Sequence, residues 1–143
     1  VPLETLLKEC DVITLHTNAT AENHHLIDAK AIETMKPGAV IINTARGKLI
    51  DSDALIAGLE SGKLGGAALD VLENENGLYY YNRMGDVIPN PELAALRSMP
   101  NVILTDHTAF YTEEDVESMV RGVLESADAF AKGQPTRHDV TNL

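Results

Sequence analysis

The sequence predicts an α/β fold: a parallel sheet of about four strands with helices on both faces. Three observations carry this. Short apolar runs recur at 11–15, 39–44, 65–70 and 101–105, each of strand length. Segments with apolar residues three or four apart lie between them. Strands alternating with helices are what right-handed crossovers build into a parallel sheet.

The elements follow in order. Residues 3–9 read as a short helix with Leu3, Leu6 and Leu7 on one face. Asp11-Val-Ile-Thr-Leu15 is a strand that runs out into His16-Thr17-Asn18. The polar stretch 20–36, anchored by Leu26, Ile27, Ala31, Ile32 and Met35, is a loop and a short helix before the Pro37-Gly38 turn. The run 39–44, centred on Val40-Ile-Ile42, suits a strand buried on both faces. Arg46 and Gly47 then form a turn, and Asp51-Ser52-Asp53 can cap a helix over 51–61 that stops at Gly62. Gly65-Gly-Ala-Ala-Leu-Asp70 is a small-residue strand that helices can approach closely. The excursion 71–100 carries Gly77-Leu-Tyr-Tyr-Tyr81 and a short helix over Pro91–Met99; so long a connection is usually functional. Asn101-Val-Ile-Leu-Thr105 is the fourth strand, ending in Asp106-His107. Thr112 with Asp115 opens a last helix. Its apolar stripe is Val116, Met119, Val120, Val123, Leu124, Ala127 and Phe130, and Gly133 and Pro135 end it.

Composition narrows the function. The chain has 143 residues, 44% hydrophobic, enough for one modest globular domain. A net charge of −11 argues against nucleic acid or an anionic membrane as partner. An anionic substrate must therefore be captured locally. The single cysteine, Cys10, cannot make an internal disulfide or a cysteine metal cluster, which fits a cytoplasmic setting. No apolar run approaches the ~20 residues of a membrane span.

In open parallel sheets ligands bind beyond the carboxyl ends of the strands. Four such ends carry His16-Thr17-Asn18, Thr44-Ala45-Arg46, Asp70 leading to Glu75, and Asp106-His107. Arg46 can grip a carboxylate with two parallel hydrogen bonds. A carboxylate near 73–75, bonded to His107, stabilises the charged imidazole. That imidazole can give a proton to a carbonyl oxygen receiving hydride. Each residue has a plainer role too: Arg46 as a surface ion-pair partner, His107 as a loop-capping residue, Glu73 and Glu75 as solvated glutamates. His24 and His25 are adjacent and need not face the same way, so no metal site is expected. Tyr79 to Tyr81 suit a loop lid or an interface. No zinc spacing, P-loop, nucleophile elbow or Gly-x-Gly-x-x-Gly occurs.

Four motifs resemble the D-isomer-specific 2-hydroxyacid dehydrogenases. They are Asp11-Val-Ile-Thr-Leu-His16, Asn43-Thr-Ala-Arg-Gly47 with Asp51, Gly66-Ala-Ala-Leu-Asp-Val-Leu-Glu73, and Pro100-Asn-Val-Ile-Leu-Thr-Asp-His107 followed by Thr-Ala-Phe-Tyr-Thr-Glu. The pattern is similar to the D-lactate dehydrogenase branch, with its vancomycin-resistance relatives. The resemblance implies the second half of a Rossmann NAD-binding domain over 1–143, with the glycine-rich half and the substrate domain absent. It implies NADH-dependent reduction of pyruvate or a similar 2-oxo acid to the D-2-hydroxy acid. Catalytic roles would fall on Arg46, His107 and Glu75, with Glu73 as fallback. NAD contacts would fall on Thr44, Ala45, Arg46 and Asp70, and on Thr17, Asn18 and Asn23 at the adenosine side. Asn18 and Asp106 depart from the proline, or proline or glycine, usual there. Asp106 would add charge beside the imidazole if it points inward.

The chain alone is expected to be inactive and to bind NAD weakly. A homodimer is expected, with no nucleic-acid or membrane partner. Two alternatives stay open: a dehydrogenase for a bulkier 2-oxo acid, and a non-catalytic NAD-responsive binding module of the same fold.

Overall fold

In the computed structural model four strands make one parallel sheet, in sequence order: β1 (Val12–Leu15), β2 (Ala39–Asn43), β3 (Leu64–Leu69) and β4 (Val102–Leu104). The structure describes residues 1–136; the tail of the expected domain, 137–143, lies outside the described residues. The chain divides into two compact units, Val1–His107 and a second opening at Thr108.

The first unit also holds α1 (Leu3–Glu9), α2 (Ala29–Thr34), α3 (Ser52–Glu60) and α4 (Pro91–Ser98). Three of these helices start where a short polar side chain satisfies a free backbone amide. Asp28 accepts from Ala31 N at 2.7 Å, Asp51 from Ala54 N at 3.1 Å and Asn90 from Leu93 N at 2.8 Å. Such caps are worth about 1 kcal/mol each. A 3-10 turn over Gly47–Leu49, which the residue pattern does not announce, joins β2 to α3.

Helix follows helix across the sheet: α1 packs on α2, α2 on α3 and α3 on α4. Within the first unit these four helices share one face of the sheet. Successive right-handed crossovers in a sheet that never reverses its order all land on one side. Alternation in the strands records it. Ile13, Leu15, Ile41, Asn43, Ala67 and Leu69 are buried, whereas Val12 and Ile103, on the other face, are 53% and 68% exposed. Ile27, Met35, Ile41, Leu49, Leu64 and Leu96 form the fully buried centre.

Register matters most for function. Leu15 pairs with Asn43, Asn43 with Leu69 and Leu69 with Leu104. The last residues of all four strands thus stand in one row. His16, Thr44, Asp70 and Thr105 follow directly beyond it.

In the second unit, Thr112 accepts from Asp115 N at 3.1 Å and opens α5 (Glu113–Ala131). Glu113, Glu114 and Asp115 lie in its first turn, where acidic groups complement the helix dipole. The apolar stripe forms on α5, but no residue of that helix is buried.

One glycine is demanded by close packing. A Cβ on Gly47 would lie 2.0 Å from the Leu72 carbonyl oxygen and 2.5 Å from Glu73 N. All the atoms met belong to the Leu72–Glu73 peptide, so no flexible side chain can give way. Gly47→Ala in the intact protein should therefore cost about 3 kcal/mol or more, overpacking at its severe end, read as a lowered urea midpoint. An unchanged midpoint would mean that the two segments do not touch.

Candidate active site

The Arg46 turn is built on a buried asparagine. Asn43, only 1% exposed, donates from Nδ2 to Arg46 O at 2.9 Å and accepts at Oδ1 from Ala45 N at 3.0 Å. This fixes the backbone of Thr44, Ala45 and Arg46 beyond the end of β2. Arg46 is exposed and in extended conformation, and its Nη1 donates to Ala45 O at 2.6 Å. A guanidinium has five N–H donors, so that contact occupies one edge of the fork.

Past β3 the chain runs through Asp70 to two glutamates with different partners. Glu75 accepts from His107 Nδ1 at 2.8 Å through Oε1 and from Leu72 N at 2.8 Å through Oε2. With Nδ1 committed to the carboxylate, the outward ring nitrogen of His107 is Nε2. Glu73, the fallback, goes elsewhere. Its Oε1 meets His25 Nε2 at 2.6 Å and its Oε2 accepts from Ser52 N at 3.4 Å. Leu72 links the pieces: its carbonyl sits against Gly47, next to Arg46, and its amide holds Glu75.

His107 has φ +54, unusual for a non-glycine residue. Such a conformation costs on the order of 1–3 kcal/mol and persists where the surroundings over-determine it. The Glu75 bond supplies part of that, and the Tyr80 hydroxyl donates to His107 O at 2.5 Å. Desolvation, then the Asp106 and Glu75 carboxylates, push the Tyr79 phenol up to about 12. Desolvation, then Glu75 and Asp70, push the Tyr80 phenol up as well. Both phenols therefore stay protonated at neutral pH. Asp106 does not turn to the imidazole; its carboxylate pairs with Arg97 of α4 at 3.3 Å.

The residues expected to hold NAD lie along the same strand-end edge or in the loop after β1. Asp70, 4% exposed, follows β3 and accepts from the Thr105 hydroxyl. Thr44 is exposed beyond β2. Thr17 and Asn18 lie beyond β1 and are exposed. Asn23 is a loop staple: Nδ2 donates to Asn18 O at 2.7 Å and Oδ1 accepts from Thr20 N at 2.7 Å. The donor set fits a dinucleotide. It has hydroxyls for sugars, a buried carboxylate for an amide N–H, and one exposed arginine.

Three contributors escaped the residue pattern. Asn43 reads as the end of a strand, and Tyr80 as one of three lid tyrosines. His25 reads as half of a histidine pair with no shared direction. Its ring in fact lies 3.9 Å from that of His24, and both histidines face Glu73. The donor atoms of His24, His25 and Glu73 lie within 4.8 Å of one another.

Comparisons with known proteins identify the family. Residues 1–109 match the family model described as D-isomer specific 2-hydroxyacid dehydrogenase, NAD binding domain. This chain belongs to that family. An aromatic 2-oxoacid reductase of Clostridium sporogenes is 48% identical over 128 residues, 90% of this chain and 39% of the reductase. A crystal structure of a D-lactate dehydrogenase from Treponema pallidum superposes with a TM-score of 0.94 at 40% identity, over 99% of this chain and 43% of that one. An NAD-complexed D-isomer-specific 2-hydroxyacid dehydrogenase from Lactobacillus delbrueckii ssp. bulgaricus gives a TM-score of 0.90 at 37% identity, over 98% and 43%. The chain spans about two fifths of the length of these family members. Among the described residues, no helix is long and apolar enough to cross a membrane.

Glu73 generates an acid-sensitivity prediction. Burial raises its carboxyl, but hydrogen bonds from His25 and Ser52 outweigh burial and hold it below the ordinary glutamate value of 4.5. A carboxyl lowered by folding contributes stability that is full above the unfolded value and lost as pH falls through the folded one. Glu73→Gln should therefore lower stability at pH 7 and flatten its decline below about pH 4.5, measured by urea unfolding across pH. A parallel decline in both proteins would contradict the Glu73–His25 pairing.

Proposed function

We propose that the protein containing this chain is an NAD-dependent D-2-hydroxyacid dehydrogenase that reduces pyruvate or a similar small 2-oxo acid to the D-2-hydroxy acid. The observation that carries the reading is the Glu75–His107 hydrogen bond of 2.8 Å, beyond the strand row that also carries Arg46. NADH, when bound, supplies hydride to the substrate's carbonyl carbon.

Arg46 binds the substrate carboxylate through its guanidinium fork and so orients the carbonyl. His107 gives the carbonyl oxygen a proton from Nε2 as the hydroxyl forms, and takes it back in the reverse direction. Glu75 receives the Nδ1–H and holds the ring angle. Thr44, Ala45, Arg46 and Asp70 would hold the nicotinamide side of NAD, and Thr17, Asn18 and Asn23 the adenosine side. Asn23 acts through the loop it staples. The reading carries a homodimer in the cytoplasm, the setting consistent with a single cysteine.

A bulkier substrate is the second reading, favoured by the 48% identity to an aromatic 2-oxoacid reductase. Rates on 2-oxo acids of graded size in the intact protein separate the two.

In the intact protein, His107→Gln should lower kcat for pyruvate reduction by about 10²–10⁴ while NADH binding, followed by fluorescence, is kept. Arg46→Gln should raise KM for the 2-oxo acid by at least about tenfold. Full turnover by the His107 variant would remove His107 from the acid–base role, whereas a non-catalytic binding module would show no turnover in the wild type and keep its binding in the variant.

A further inference from the structure

The excursion between β3 and α4 holds His107 twice. Glu75 takes its side chain through Nδ1 at 2.8 Å, and five residues later Tyr80 takes its backbone through O at 2.5 Å. The Tyr80 ring centroid lies 6.1 Å from the imidazole, tilted by 54°. Both residues have positive φ, +67 at Tyr80 and +54 at His107, so each backbone is held in a conformation that L side chains rarely adopt. The segment between the two holds is itself tied down. Leu78 N donates to Glu75 O at 2.9 Å, and Arg83 donates from Nε to Gly77 O at 2.9 Å. Asn74 and Asn90 anchor its ends, with Asn74 Nδ2 on Glu92 at 2.7 Å and Asn90 Nδ2 on Asn74 O at 3.2 Å.

We propose that Tyr80 is a positioning residue for the acid–base histidine: its hydroxyl, by holding the His107 carbonyl, sets the backbone angle from which the imidazole is aimed. The inference rests on the proposed role of His107 as acid. Tyr80 touches neither substrate nor cofactor in this scheme; it acts through His107. The side-chain hold alone lets the imidazole pivot about its bond to Glu75. A second hold on the backbone removes that freedom, and proton transfer is sensitive to small errors of aim. The hydroxyl, rather than the ring, is therefore the working part. It is a donor at neutral pH, far below the ordinary phenol value of 10.0, which burial raises further.

The test uses the intact protein with pyruvate and NADH, and compares wild type, Tyr80→Phe, Tyr80→Leu and His107→Gln. Tyr80→Phe keeps the ring and removes one exposed hydroxyl. It should lower kcat by about three- to tenfold, leave KM for the 2-oxo acid within about twofold, leave the thermal midpoint unchanged and enlarge the solvent isotope effect on kcat. Tyr80→Leu should be no more than slightly worse. Wild-type kcat in Tyr80→Phe, with His107→Gln inactive, overturns the inference and leaves the dehydrogenase reading standing. A raised KM, or a changed preference between small and bulky 2-oxo acids, makes Tyr80 a substrate contact and also overturns it. A fall in kcat matched by a fall in thermal midpoint marks a merely structural role. Activity retained by His107→Gln brings both readings down together.

Discussion

The parallel register of four strands is the constraint on which the candidate site depends. Leu15, Asn43, Leu69 and Leu104 end their strands in one row. Whatever follows each strand therefore emerges on the same edge. Reversing a single strand would carry its turn to the opposite edge and separate Arg46 from Glu75 or His107. The strands stay parallel because each connection contains a helix with an apolar face, and α1 to α4 bury those faces side by side on one face of the sheet. Burial of apolar area thus fixes where polar chemistry gathers, although no catalytic side chain takes part in that burial.

Beyond the row, position is set by hydrogen bonds rather than by packing. Asn43 shapes the Arg46 turn from inside. Leu72 presses its carbonyl on Gly47 and lends its amide to Glu75. Glu75 and Tyr80 then hold His107. The path from Arg46 to His107 is a chain of short contacts through the start of the excursion after β3. That explains a connection much longer than crossing to β4 requires.

Two glutamates and two histidines near the site illustrate what pattern leaves open. Glu73 and Glu75 flank one asparagine, and either could serve as partner to His107 on spacing alone. In the fold they part company: Glu73 joins His25 and the start of α3, and Glu75 joins His107. Glu73 therefore braces the structure while Glu75 faces the chemistry. Similarly, Asp106 is next to His107 in sequence but spends its charge on Arg97. Adjacency along the chain says little about direction once the backbone takes a positive φ, as it does at His107.

The sequence by itself determined the alternation of elements, the helix caps at Asp51 and Thr112, and the strand ends that carry Arg46 and His107. These are local matters of apolar period and of side chains bonding amides three residues on, so they can be read from neighbours. The tertiary structure alone decided that the helices of the first unit share one face. It also decided that Glu75 rather than Glu73 meets His107, that Asn43 and Tyr80 support the site, and that His25 turns to Glu73. The contacts of Glu75, Tyr80 and His25 depend on residues tens of positions apart being brought within about 3 Å, and no local period encodes which of two nearby carboxylates will face a given ring.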